Sequence, residues 1–201
     1  MRIRSIFAQS YIKSPTCHPI SNFQFPTSAM PILPANTSDI PELLSLVNSA
    51  FRGETARKGW SHEADLLDGA QRTDAATLTA LLNTTDAVLL KYCNEAGAIE
   101  GCVFLQNKER GVYLGMLTVN PELQGGGIGK KLLAAADAFA RQQAAPVIFM
   151  TVFSVRQELI AWYERHGYYR TGETKPYEVN PDFGLPTRTL EFVILEKEID
   201  R

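Results

Sequence analysis

The chain has 201 residues, with 20 Lys and Arg against 22 Asp and Glu and 45% hydrophobic side chains. That length favours one domain with an appendage and is enough to bury a sizeable core. A formal net charge of −2 excludes a global basic field for nucleic acid, and apolar runs such as VIFMTVF at 147–153 are far too short to span a bilayer.

Residues 1–38 contain no Asp or Glu and carry Arg2, Arg4 and Lys13 among many Ser, Thr, Pro and apolar residues. An acid-free, basic, Ser-rich start has the composition of an organelle transit peptide or of a poorly ordered extension. The chain therefore divides into an N-terminal extension, 1–29, and a folded domain, 30–201. Thr37 or Ser38 caps a helix running to about Phe51, with Ile40, Leu43, Leu44, Val47 and Phe51 at helical spacing. The stretch 52–72 is polar and less regular. A second helix is predicted over 73–83 with Leu78, Leu81 and Leu82 inward. Residues 86–93, 100–106 and 111–119 then read as three strands joined by short turns. A helix follows over 127–142, with Ile128, Leu132, Leu133, Ala136 and Phe139 on one face. Residues 146–153 form a nearly all-apolar strand, expected to be buried on both faces. A helix over 156–166 ends at Gly167, a natural left-handed C-terminal residue. Strands near 168–174 and over 187–196 finish the sheet. The order predicts a mixed α/β domain with meander strands first and a βαβ crossover at 111–153.

Cys17, Cys93 and Cys102 are odd in number and far apart, with no metal-ligand or redox-pair spacing. They fit a reduced compartment: the cytoplasm, or mitochondria if residues 1–29 act as a transit segment. No metal site is expected. His62 has no spaced partner, and His166 suits the negative end of a helix.

The run ELQGGGIGKKLL at 122–133 joins a strand to a helix. A helix N-terminus carries unpaired N–H groups and partial positive charge, and glycines let an anion approach them. Strand, glycine loop and helix thus make a phosphate-binding arrangement. The P-loop pattern fails here, because Gln124 stands where its first glycine belongs and Lys131 where Ser or Thr belongs. The G-x-G-x-x-G dinucleotide pattern fails too, at Lys130 or at Leu132 according to register.

What remains is Q-x-x-G-x-G, formed by Gln124, Gly127 and Gly129. With it the chain resembles the GNAT superfamily of acetyl-CoA-dependent N-acyltransferases. LTVNPELQGGGIGKKLL at 117–133 looks like that family's fourth strand, pyrophosphate loop and third helix. ELIAWYERHGYYRTGE at 158–173 looks like its next conserved block. The likeness in element order covers roughly residues 31–196. It implies a mixed, mostly antiparallel sheet flanked by helices, with the family's β4–β5 pair parallel and splayed.

The resemblance implies acetyl-CoA as co-substrate. Its pyrophosphate would take backbone N–H groups of Gln124, Gly125, Gly126, Gly127, Ile128, Gly129 and Lys130, with Lys131 nearby. Its pantetheine arm would pair with the backbone of Leu117 and Val119. Tyr163 falls where the family places a general acid. A phenol, with pKa ~10, can protonate a departing thiolate, whose thiol has pKa ~8.5. Many members carry an asparagine seven residues before that tyrosine; here Arg156 stands there, open to a phosphate, a substrate or a surface role. Many also carry a glutamate on the fourth strand as base; GVYLGMLTV has no acid, which leaves Glu63 and Asp65 as candidates.

The expected function is transfer of an acetyl group from acetyl-CoA to a primary amine, a small molecule or a peptide, by direct attack in a ternary complex. A non-catalytic acyl-CoA sensor is the alternative. No nucleic acid or membrane partner is expected, and the chain is read as a monomer or homodimer.

Overall fold

The computed structural model describes residues 32–200. The proposed extension 1–29, and Cys17 with it, lies outside the described residues. Among these, no helix is long and apolar enough to cross a membrane.

The first element is a short strand that periodicity did not reveal, β1 (Ile32–Pro34). Asn36 then closes a capping box with Asp39 over a single helical turn, so Asn36 rather than Thr37 or Ser38 is the cap. Helix α1 (Ile40–Phe51) follows and buries Leu43, Leu46, Val47 and Ala50. A four-residue helix, α2 (Gly53–Ala56), and a two-residue strand, β2 (Leu67–Asp68), interrupt the polar stretch. Asp74 caps helix α3 (Ala75–Leu82) by accepting from the N–H of Thr77.

The meander is present as β3 (Ala87–Cys93), β4 (Ile99–Lys108) and β5 (Gly111–Val119). Helix α4 (Ile128–Gln142) crosses to β6 (Val147–Phe153), and α5 (Gln157–Glu164) leads to β7 (Tyr169–Pro176). A two-residue strand, β8 (Leu185–Pro186), pairs with β2, and β9 (Glu191–Glu198) follows. The main sheet has the order β1-β3-β4-β5-β6-β9-β7. All its pairings are antiparallel except β5–β6. The parallel pair expected as the fourth and fifth strands is therefore the fifth and sixth in chain order. The last strand also starts at Glu191 rather than 187.

One face of the sheet is covered by α4 and α5. Leu132, Phe139, Ile148, Met150, Ile160 and Leu195 are fully buried there. A buried aliphatic side chain of this size contributes roughly 1.5–3 kcal/mol. The other face is covered by α1 and α3 over β3–β5 only. Among the described residues, this leaves one face of β6 and β9 without a helix. The expectation that β6 is buried on both faces is corrected accordingly: Ile148, Met150 and Val152 face the helices, while Phe149 and Thr151 are half-buried on the other side. Period-two alternation underlies this, and the run of apolar residues concealed it.

Candidate active site

The glycine loop begins where β5 ends. A single helical turn, Pro121–Leu123, leads into Gly125 and Gly127, whose φ angles are +90° and +84°. Only glycine adopts that left-handed backbone without steric cost. Gly127 is the N-cap of α4, and the first helical bond runs from Lys131 N–H to the Gly127 carbonyl at 3.0 Å. Helix geometry therefore leaves the N–H groups of Ile128, Gly129 and Lys130 pointing out of the positive end of α4. The two lysines diverge. Lys130 lines the adjoining cavity. Lys131 instead donates to the Tyr92 hydroxyl at 3.0 Å and lies over that ring, on the β3 side.

Strands β5 and β6 meet at only two register pairs, Val112–Ile148 and Tyr113–Phe149. Beyond them they part. Met116 takes φ +51°, a left-handed value in a non-glycine residue, at a bulge opposite Cys102–Phe104. Such bulges bend a strand and increase its twist. The β6-facing backbone of the Leu117–Val119 end of β5 is thus open to an extended ligand rather than a neighbouring strand. Leu117 and Val119 both line the cavity.

Helix α5 carries Tyr163 on its buried side, with 6% of the residue exposed, and the ring also lines the cavity. Burial pushes the phenol well above its ordinary range; Arg156 pulls it back, and Tyr113 raises it further. Its neighbour Trp162 packs edge-on to Tyr163 with centroids 5.0 Å apart, and lies 6.0 Å from Trp60 and 4.3 Å from His166. A Cβ on Gly129 would lie 3.4 Å from the Trp162 ring, so the indole sits directly against the start of α4. His166 Nδ1 lies 2.7 Å from the Trp162 carbonyl, so that nitrogen carries the donated proton.

Arg156 has a definite occupation. Its guanidinium donates to the carbonyls of His62 and, at 3.2 Å, Trp60. It therefore ties the N-terminus of α5 to segment 59–63. The same segment is held from the glycine loop: Gln124 Oε1 accepts from Trp60 N–H at 2.9 Å, and its Nε2 donates to Ser61 Oγ at 2.8 Å. The segment ends at Glu63, which receives Arg52 at 2.6 Å and Arg72 at 3.3 Å. Asn48 on α1 fixes the backbone of Arg72 and Thr73. Of the two candidate bases, Glu63 thus lines the cavity with its carboxylate engaged by two arginines. Asp65 is exposed and turned to Arg57, whose hydrogen bond lowers its pKa.

These parts share one continuous cavity of about 2170 Å³. A pocket for a single small ligand is typically ~300–1,000 Å³, so this one has room for two. Its first half runs along the glycine loop, the open end of β5 and α5. Its second half lies over the uncovered sheet face, floored by Tyr113, Phe149, Thr151 and Phe192 and walled by segment 59–63. No sequence pattern pointed to this floor or to Trp162; alternation along β6 was the one available signal for the floor. The remaining cysteines are removed from such chemistry. Cys102 is buried, with its thiol pushed up to about 12 by that burial, and burial also raises Cys93.

Solved structures with the same architecture are numerous. A ribosomal-protein-alanine N-acetyltransferase from Brucella melitensis aligns at TM-score 0.62 and 22% identity, covering 83% of this chain and 98% of that one. The protein yncA from Salmonella typhimurium, solved with its cofactor acetyl-CoA, aligns at TM-score 0.62 and 20% identity, covering 87% and 96%. The ribosomal-protein-S18-alanine N-acetyltransferase from Escherichia coli gives 0.63 and 15%, covering 85% and 94%. A search of curated proteins found no sequence match. Fold and sequence profile together support transfer of an acyl group from an acyl-CoA to an acceptor. The sequence profile of the acetyltransferase (GNAT) family matches residues 44–168, and the chain belongs to that family.

Proposed function

We propose that the protein is an N-acetyltransferase that moves an acetyl group from acetyl-CoA to a primary amine by direct attack in a ternary complex. One observation carries the reading: the α4 N-terminus, the open end of β5 and the Tyr163 ring all line one cavity with a separate acceptor half. N–H groups between Gln124 and Lys130 bind the pyrophosphate, with Lys130 adding charge; that of Gly126 already donates to the Leu123 carbonyl at 3.3 Å and is the one not free to do so. The Leu117 and Val119 backbone hydrogen-bonds the pantetheine arm. This brings the thioester into the gap between β5 and β6, between the two halves of the cavity. The amine attacks from the acceptor half. The Tyr163 hydroxyl donates its proton to the sulfur as the carbon–sulfur bond breaks. Burial raises its pKa, so the hydroxyl stays protonated across the neutral range.

Direct transfer is favoured because both described thiols are raised by burial and so held as poor nucleophiles. Arg156 acts as a positioning residue for segment 59–63 rather than as a phosphate ligand, since its N–H groups already have carbonyl partners there. The test is release of free CoA thiol from acetyl-CoA across a broad panel of amines. Amine-dependent release supports the reading. Cofactor binding with no amine-dependent release would favour a non-catalytic sensor.

A further inference from the structure

We infer that the acceptor amine carries an anionic group, such as a carboxylate, which Lys108 and Lys175 receive; this rests on the acetyl-transfer reading above. Both lysines line the acceptor half of the cavity. Lys108, at the end of β4, holds its ammonium 4.9 Å from the centroid of the Tyr113 ring, on the cavity floor. Lys175 on β7 is the register partner of Phe192, and Phe192 is the partner of Phe153 on β6. Directly opposed residues share a sheet face, so Lys175 stands on the floor's face as well.

Neither ammonium is paired with a carboxylate among the described residues. Four acids nearby are already engaged. Glu173 and Glu196 both bind Arg110. Glu63 is shared by Arg52 and Arg72, and Asp74 caps α3. Glu178 and Asp182, on the loop after β7, also line the cavity and are not engaged, but both are exposed and neither forms an ion pair with Lys108 or Lys175. The two lysines are also mutually repulsive. Lys108 is lowered from its ordinary value by burial and then by the charge of Lys175. A site with two like charges and no free inner carboxylate repels a second ammonium and attracts an oxyanion. Polyamines and polycationic acceptors are thereby disfavoured. The aromatic floor between the lysines and the thioester gap suits the apolar stem that joins amine to anion.

The deciding comparison uses three acceptors of equal length and similar amine basicity: 4-aminobutanoate, n-butylamine and 1,4-diaminobutane. They are run within the broad amine panel, following thiol release. We expect kcat/KM for 4-aminobutanoate to exceed the other two by about ten-fold or more. In the double variant K108Q/K175Q the ratio of 4-aminobutanoate to n-butylamine should fall by about ten-fold, with the melting temperature held. Preference for the neutral or dicationic acceptor overturns the inference and leaves acetyl transfer standing, as does an unchanged ratio in the double variant. Absence of amine-dependent release with every panel member overturns the acetyl-transfer reading and this inference with it.

Discussion

Tyr163, buried, and Glu63, partly buried, illustrate how differently two polar residues can serve one cavity. If Tyr163 is the acid, Tyr163→Phe should lower kcat by about 10²–10⁴-fold. The KM for acetyl-CoA should change by no more than about two-fold, because the cofactor's proposed ligands are backbone groups elsewhere. Equal turnover in that variant would remove the proton-donor role. Glu63 neutralises Arg52, whose side chain is 1% exposed. Glu63→Ala leaves that guanidinium buried without its carboxylate, a change that costs about 3 kcal/mol or more. Denaturant unfolding should register it as a lower midpoint. Glu63→Gln retains hydrogen-bond acceptors and should lose less. The places of these residues on the cavity differed in legibility. Tyr163 was legible because its block resembles a known one. The arginines around Glu63 were not, since Arg52 and Arg72 reach it through the fold and no local spacing encodes that meeting.

Among the elements, the glycine loop does two jobs. Its backbone opens the helix N-terminus, and its Gln124 side chain grips Trp60 and Ser61 on the acceptor wall. The contact is tight: a Cβ at Gly59 would lie 2.9 Å from the Gln124 carboxamide. Gln124→Ala should therefore raise the KM for the amine more than the KM for acetyl-CoA, a split that initial-rate kinetics would resolve. A larger effect on the cofactor would show that the side chain matters mainly to the loop itself. Gly127→Ala is the converse case. It forces an alanine into φ +84°, costing roughly 1–2 kcal/mol, and should weaken cofactor binding measured by calorimetry. Long periodic elements such as α1, α4 and the meander were legible from spacing alone. Strands β1, β2 and β8 were not, because two or three residues carry no period and owe their pairing to distant partners.

For the molecule as a whole, alkaline pH is an informative stress. Burial raises Tyr113, Tyr163 and Tyr168 above the ordinary phenol value of 10.0. Above that value the unfolded chain has lost protons that the native state still binds, so stability falls as pH rises. Below it these phenols contribute no slope. Urea midpoints should thus be insensitive to their titration up to about pH 9 and should drop as pH rises beyond ~10. A flat response to pH 11 would mean that the phenols ionise without leaving the core.

The two register pairs between β5 and β6 also bear on how the protein breathes. Among the described residues they are the only register pairs joining the sheet half β1-β3-β4-β5 to the half β6-β9-β7. The second half is itself assembled around β9, which follows both β6 and β7 in the chain, so it cannot close before β9 has been synthesised. Local opening follows cooperative units bounded by weak seams. Amide hydrogen exchange should therefore divide the sheet along this seam, with Gly115–Val119 exchanging faster than the opposite strand β4. On the proposed function, acetyl-CoA takes the place of a missing strand in the seam and should slow exchange on both sides of it at once.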